Sequence, residues 1–329
     1  MAPLTRGRAN NNANKPTKLM AEYYKQRASA GLIISEGSQV SSMGVGYANT
    51  PGIHTNDHID GWKLITKAVH EEGGKIFIQI WHVGRISHPY YLNGNQPIAP
   101  SAININQTVR TPEGEKSSVT PKEMTMSDIK EVIHEFSKAA SNAVEAGFDG
   151  VWASGLEISA SYGLPDANIL TMSEYLERAT EMNEATSLPV IADCDTGYGN
   201  VNNVIHMVEK YEKAGIAAIC IEDKLFPKVN SFIEGRQDLA DIEEFCGKIR
   251  AVKNTQKNPD FMVIARVEAL IAGWGMKEAL KRATAYAESG ADAILIHSKK
   301  RDNKEILEFC KKFKKKNTNC CSTHNLPKI

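Results

Sequence analysis

Eight short apolar runs, separated by amphipathic stretches of helical period, constrain this chain more than any other feature. The runs are Met1–Thr5, Gly31–Glu36, Lys75–Trp81, Asp149–Ser154, Pro189–Asp195, Ala217–Glu222, Phe261–Glu268 and Ala291–His297. Most are rich in Val, Ile and Leu without polar alternation, the pattern of strands buried on both faces of a parallel sheet. Helical patterns cover Lys18–Ala30, His58–Glu72, Ser127–Ala146, Met172–Thr186, Asn203–Ala214, Leu239–Lys253, Met276–Ser289 and Asn303–Lys316. Strand then helix, eight times over, predicts an α/β fold of the (β/α)8 TIM-barrel type. Glycine closes several of the helices (Ala30-Gly31, Ala146-Gly147, Ala214-Gly215, Ser289-Gly290), as a left-handed C-cap requires. Pro89–Met126 is too long and polar for a simple connection and reads as a lid or a hairpin excursion.

The 329 residues suit one barrel of that kind. Lys+Arg and Asp+Glu number 39 each, and this balance argues against a nucleic-acid partner. No apolar stretch approaches a membrane span, and the N-terminus lacks the apolar core of a secretion signal. Cys194, Cys220, Cys246, Cys310, Cys320 and Cys321 are scattered without zinc-site spacing, which reads as reduced thiols in a cytoplasm.

In such barrels the reactive groups gather at the C-terminal strand ends. Here those ends read Trp152-Ala-Ser154, Asp193-Cys-Asp195, Glu222-Asp223-Lys224, Arg266-Val-Glu268 and His297-Ser298. Asp193 and Asp195, two apart on a strand, point the same way, and Glu222 on the next strand can join them. Three converging carboxylates need a cation, and hard oxygen donors suit Mg²⁺ or Mn²⁺. Arg266 and His297 add donors for an anionic substrate. Asp223 is as well explained by a structural role as by ligation. Gly197-Tyr-Gly199-Asn200 reads as a tight turn. The polar segment around Lys228, Asn230 and Ser231, before Gly235-Arg236, reads as a gate that excludes water.

From Phe148 to Lys300 the chain resembles phosphoenolpyruvate mutases of the isocitrate lyase superfamily. The motifs are WASGLEISASYGLPDAN (Trp152–Asn168), ADCDTGYGN (Ala192–Asn200), IEDKLFPKVNS (Ile221–Ser231), ARVEALIAGWG (Ala265–Gly275) and ADAILIHSK (Ala291–Lys299). The resemblance implies interconversion of phosphoenolpyruvate and phosphonopyruvate, as in phosphonate biosynthesis. It implies substrate contacts at Trp152, Ser154, Gly155, Leu156, Asn230, Ser231, Arg266, His297 and Ser298. It implies catalytic roles for Asp166, Lys228, Asn230, Arg266 and His297, and Mg²⁺ on Asp193, Asp195 and Glu222, directly or through water. Asn230 favours mutase over the similar phosphonopyruvate hydrolases. A homo-oligomer and a small-molecule substrate are the implied partners.

From Met1 to Val151 the chain resembles a different family, the old yellow enzyme-type FMN oxidoreductases. The motifs are MAPLTRGRA (Met1–Ala9), PTKLMAEYYKQRASAGLIISEG (Pro16–Gly37), GYANTPGI (Gly46–Ile53) and KIFIQIWHVGRISHP (Lys75–Pro89). By this resemblance Pro3, Leu4, Thr5, Gly37 and Gln79 would line a flavin, and His82 would be structural or functional. The family's later substrate and phosphate motifs are absent, and AGFDGV (Ala146–Val151) runs straight into WASGL. The expected organisation is a flavoprotein-like half-barrel over 1–151, a mutase-like half-barrel over 152–300, and a C-terminal helix and tail over 301–329. Three strands from one family and five from the other make eight. The tail lacks the apolar strand expected next in a mutase, and Lys311–Lys316 reads as a solvated helix face. An FMN-dependent ene-reductase is the alternative function. An inactive fusion, natural, engineered or a gene-model artefact, is the third reading.

Overall fold

The structure is a computed structural model. It describes all residues except 2, 12, 163, 232–236, 301–303, 314–318 and 323–329, with the side chains of 160, 161 and 319–322 also outside the description. Eight parallel strands form one sheet in chain order: β1 (Ile33–Gln39), β2 (Ile76–Trp81), β3 (Gly150–Ala153), β4 (Val190–Asp193), β5 (Ala218–Glu222), β6 (Met262–Val267), β7 (Ala293–Ile296) and β8 (Asn319–Ser322). Helices cover the outer face: α1 (Lys18–Lys25), α2 (Asn56–Glu71), α3 (Met126–Glu145), α4 (Gly155–Ser161), α5 (Met172–Glu184), α6 (Val201–Lys213), α7 (Ile242–Thr255), α8 (Gly275–Glu288) and α9 (Lys304–Lys312).

The sheet curls as a TIM-type barrel sheet does, and its side chains report the curl. Alternate residues of β1 to β7 form one interior cluster: Ile34, Phe77, Trp152, Ile191, Ala218, Cys220, Ile264, Ala293 and Leu295. A single cluster running along the inner face from β1 to β7 is what the inside of a curled barrel-type sheet packs. The opposite alternation (Ile33, Ile78, Val151, Ala192, Ile219, Val263, Ile294) packs outward beneath the helices. Both faces are therefore buried, which is why the strands carry no polar alternation.

Two strand expectations are corrected. Among the described residues of the Met1–Thr5 run there is no strand; the Met1 carbonyl accepts from Ile34 N (2.7 Å) and its ammonium binds the Leu32 carbonyl, so this end flanks β1. The eighth strand is instead Asn319–Ser322 in the polar tail, paired along β7 from Ala293 to Ile296. Among the described residues no ladder joins β8 to β1. Lys311 and Lys312 are exposed, as a solvated face requires; Lys314–Lys316 lie outside the described residues. Gly147, Gly215 and Gly290 take the positive φ of a C-cap, whereas Gly31 does not.

The expected excursion is real. It holds an antiparallel hairpin, Thr108–Thr111 against Gly114–Ser117, and a two-residue ladder between Ile98–Ala99 and Lys122–Glu123. Thr125 then starts α3 with a reciprocal cap: its Oγ1 accepts from Asp128 N, and Asp128 Oδ2 accepts from Thr125 N.

The junction between the two resemblances is knit into the sheet. Asp149 accepts from Ile76 N (2.8 Å) and binds Lys75 Nζ (3.0 Å) and His70 Nε2 (2.8 Å). Gly150 pairs with Phe77, whose ring would lie 2.0 Å from a Cβ at that glycine. No helix among the described residues is long and apolar enough to cross a membrane.

Candidate active site

The C-terminal ends of β3 to β7 bring their polar residues to one place. β4 ends at Asp193, and the chain turns through Asp195 at φ +51. The two carboxylates are thus neighbours through a left-handed turn rather than through strand alternation. A Cβ built on Gly155 would lie 3.1 Å from Asp195 Oδ1 and 3.6 Å from Asp193 Oδ2, so the backbone after β3 passes close to the pair. Gly197, Tyr198 and Gly199 also take positive φ before Asn200 caps α6, which makes that segment the tight turn its sequence suggests.

Lys228 supplies the cation that the carboxylates need. Its Nζ lies 2.6 Å from Asp195 Oδ1, 2.8 Å from Asp166 Oδ1 and 3.8 Å from Glu222 Oε1. Burial works against its charge, but Glu222, Asp195 and Asp166 outweigh it and hold the ammonium well above the ordinary lysine range. Burial, opposed by Lys228, pushes Asp195 up to about 7, and burial raises Asp193 as well. Asn168 ties the site to the gate: its Nδ2 donates to Asp195 Oδ2 (2.8 Å), and its Oδ1 accepts from Lys228 N (2.7 Å).

Arg266 and His297 do come together, with Arg266 Nη2 2.9 Å from His297 Nδ1. Arg266 Nε also lies 3.3 Å from Glu222 Oε2, joining this pair to the acids. Glu268, which the sequence reading passed over as a site residue, organises this side. Its Oε1 accepts from Arg266 Nε (2.5 Å) and lies 2.8 Å from His297 Nδ1, while its Oε2 accepts from Ser231 Oγ (2.9 Å). Burial alone would raise Glu268; Arg266 and His297 instead hold it well below the carboxylate range. Burial lowers His297, and Glu268 opposes that shift. Asp223 is structural: it accepts from Glu268 N (2.8 Å), Arg282 Nη1 (3.1 Å) and Tyr286 OH (2.7 Å).

Lys224 pins the segment 224–231 to itself. Lys224 Nζ donates to the Val229 carbonyl (2.6 Å) and Ser231 Oγ (2.8 Å). Lys228 and Ser231 are buried, while Leu225, Phe226 and Val229 are exposed. Asn230 is half-buried, and its carbonyl accepts from Gln237. Gly235-Arg236 lies outside the described residues. Three further expected contacts have these surroundings. Trp152 packs in the barrel interior, Leu156 is exposed, and Ser298 donates to Glu305 at the start of α9.

The donor chemistry fits a hard dication. Asp166, Asp193, Asp195, Glu222 and Glu268 face Lys224, Lys228 and Arg266, so full ionisation leaves two negative charges uncompensated. Asp166 Oδ1, Asp195 Oδ1 and Glu222 Oε1 are buried and make no well-directed hydrogen bond. Among the described residues no three acidic, His or Cys side chains gather tightly enough to hold a metal alone, which corrects the expectation that the three carboxylates close on one point. Mg²⁺ characteristically keeps several waters, so partial ligation is consistent with this spacing.

The flavin residues fit less well. Gly37 and Gln79 are paired neighbours on β1 and β2, but Gln79 Nε2 donates to Glu157 of the mutase-like half (3.3 Å). Pro3 and Leu4 are half-buried and Thr5 is exposed. The strand ends opposite present carboxylates, a poor seat for a phosphate-bearing cofactor. His82 is buried, its Nδ1 accepts from Gly84 N (3.1 Å), and burial lowers it to about 4.

Comparison with known proteins follows the same division. Residues 133–328 match the phosphoenolpyruvate phosphomutase family. This chain belongs to that family. Residues 1–160 match the NADH:flavin oxidoreductase / NADH oxidase family, so the chain is chimeric. The phosphoenolpyruvate phosphomutase of Tetrahymena pyriformis is 53% identical over 171 residues, 52% of this chain and 57% of that protein. The phosphonopyruvate hydrolase of a Variovorax species is 56% identical over 51% of this chain and 59% of its own. A flavin oxidoreductase of Emericella nidulans is 44% identical over 155 residues, 46% of this chain and 39% of its own. The chain therefore spans little more than half the length of its mutase-like relatives.

Among solved structures, the phosphomutase of Streptomyces platensis subsp. rosaceus aligns with a TM-score of 0.54 at 54% identity, covering 57% of this chain and 72% of that one. A phosphonopyruvate hydrolase in complex with oxalate and Mg²⁺ aligns at 0.51 with 45% identity, over 56% and 71%. Morphinone reductase aligns at 0.68 with 26% identity over 95% of this chain and 86% of its own. The mutase likeness is thus denser in sequence, whereas the flavoprotein likeness extends over more of the backbone.

Proposed function

We propose that this chain interconverts phosphoenolpyruvate and phosphonopyruvate at the ends of β3 to β7. The observation that carries the proposal is the joining of Asp193, Asp195 and Glu222 to the Arg266–His297 pair beneath the segment that holds Lys228. In this reaction the enol P–O bond breaks, the pyruvate enolate stays bound, and a P–C bond forms at its methylene carbon. The transferring group is electron-poor and loosely held, so it needs positive charge, alignment and dryness rather than a protein nucleophile.

Each residue then has a task. Asp193, Asp195 and Glu222 would hold Mg²⁺, partly through water, and the bound ion would supply charge to the enolate and carboxylate oxygens. The hydrolase complex with oxalate and Mg²⁺ supports that reading for a related site. Arg266 and His297 would grip the phosphoryl oxygens, with Glu268 orienting both. Ser154 and Gly155 would meet the substrate carboxylate, and Asp166 with Lys228 would fix the closed gate. Asn230 and Ser231 would complete the cover, with Asn230 keeping water from the phosphoryl group. Trp152, Leu156 and Ser298 keep at most a supporting part.

Cytoplasmic location, a homo-oligomeric state and a division near residue 151 belong to the same reading. Cys194, Cys220 and Cys246 are buried thiols outside any disulfide. Asp193→Ala tests the proposal: turnover of phosphonopyruvate should vanish in a protein that keeps its far-UV spectrum. Unchanged turnover would overturn the assignment of the carboxylates.

A further inference from the structure

A cavity lies on the helical side of the sheet, between α3 and α5, with a volume of ≈ 420 Å³. Its walls come from both sides of the junction. Ile80 of β2 with Ile133 and Phe136 of α3 form one side, and Ile158 of α4 with Met182 of α5 form the other. This size falls within the ordinary range for small-molecule sites, and the lining is mainly apolar. A void of this size left empty forfeits packing on every wall.

The polar lining is short of positive charge. Glu157, Glu181 and Arg178 all reach the cavity. Arg178 is already shared between Glu177 (3.0 Å) and Glu181 (2.8 Å). The Glu157 carboxyl is held by the Gln79 amide on its Oε1 (3.3 Å) and by Ser154, while its buried Oε2 makes no well-directed hydrogen bond. A buried carboxylate in that condition gains most from a cation brought to it.

We propose that this cavity binds a small apolar molecule bearing a primary ammonium group, its body between α3 and α5 and its head at Glu157. An anionic ligand meets two carboxylates and one committed guanidinium, and is excluded. A neutral ligand of the same shape keeps the apolar contacts but leaves Glu157 unpaired. The cavity adjoins the phosphoryl-transfer centre at Ser154, which lines it.

Calorimetric titration of the whole protein with 4-propylbenzylamine, 4-propylbenzyl alcohol and 4-propylbenzoate tests this. The amine should bind at least about tenfold more tightly than the alcohol, and the benzoate should not bind measurably. Glu157→Gln should remove the advantage of the amine and leave the alcohol unchanged. Ile133→Trp, which fills the space, should abolish binding of both. Equal affinity for the three probes, binding of none, or an undiminished advantage of the amine in Glu157→Gln would overturn the proposal. If Ile133→Trp does not fold, the Glu157→Gln comparison decides alone.

Discussion

At the residue scale, Lys228 is the member of the site with the most to lose. It is a buried ammonium shared among Asp166, Asp195 and Glu222. Lys228→Met removes the cation and strands those carboxylates, so turnover should fall by about 10²-fold or more while the gate opens. Proteolysis between residues 224 and 237 should quicken in the same variant; an unchanged cleavage rate would mean that Lys228 does not hold the gate. Glu36 gives a prediction in pH. It accepts from Arg6 N (2.8 Å) and Gly7 N (3.0 Å), yet burial pushes it up to about 7 from a normal 4.5. Its folded pKa exceeds the unfolded one, so the folded state holds the extra proton between those values. Stability from this group is therefore full below pH 4.5 and lost as pH rises to 7. Melting curves of Glu36→Gln should show a smaller decline from pH 5 to 8 than the parent; an identical decline would contradict the assignment. The acids, the Arg266–His297 pair and the gate were legible because each follows an apolar run. The central place of Glu268 was not, because it depends on Ser231, Arg266 and His297 folding onto it from separate loops. Nor was the inward reach of Lys228, which follows from the path of a loop rather than from residue type.

At the element scale, β2 to β7 appeared in the sequence within a residue or two of their observed bounds, since unbroken apolar runs have few other uses. The errors lie at the two chain ends and have one cause. Met1–Thr5 is apolar enough for a strand yet only flanks β1, while Asn319–Ser322 pairs with β7 without any apolar signal. Backbone hydrogen bonding makes an edge strand whatever its side chains are, so hydrophobic patterning cannot find it. Helix α4 went unseen because seven residues are too few to display a period. The junction makes its own prediction. Gly150 lies under the Phe77 ring, where a Cβ would approach to 2.0 Å. Gly150→Ala should therefore destabilise the protein by about 1–3 kcal/mol by forcing that ring into the interior cluster. Denaturant unfolding measures it, and a variant as stable as the parent would mean that β2 and β3 are not seated as described.

At the scale of the whole molecule, two half-barrels of different families share one sheet, one interior cluster and one set of strand ends. Sequence motifs revealed both halves; whether they close on a working site is a matter of packing across the junction, which no motif encodes. Mg²⁺ with oxalate should raise the melting temperature by several degrees at ligand near 100 times Kd, where binding contributes about 2.7 kcal/mol. FMN should bring neither stabilisation nor a bound flavin absorbance, because Gln79 is engaged by Glu157 and the opposing strand ends are acidic. A yellow protein would reverse that reading. The most direct test is ³¹P NMR of the purified protein with phosphonopyruvate and Mg²⁺. The phosphoenolpyruvate resonance should appear and should be abolished by a chelator. A folded protein that yields no such resonance, or that releases only inorganic phosphate, would contradict the claim that this hybrid barrel completes a mutase site.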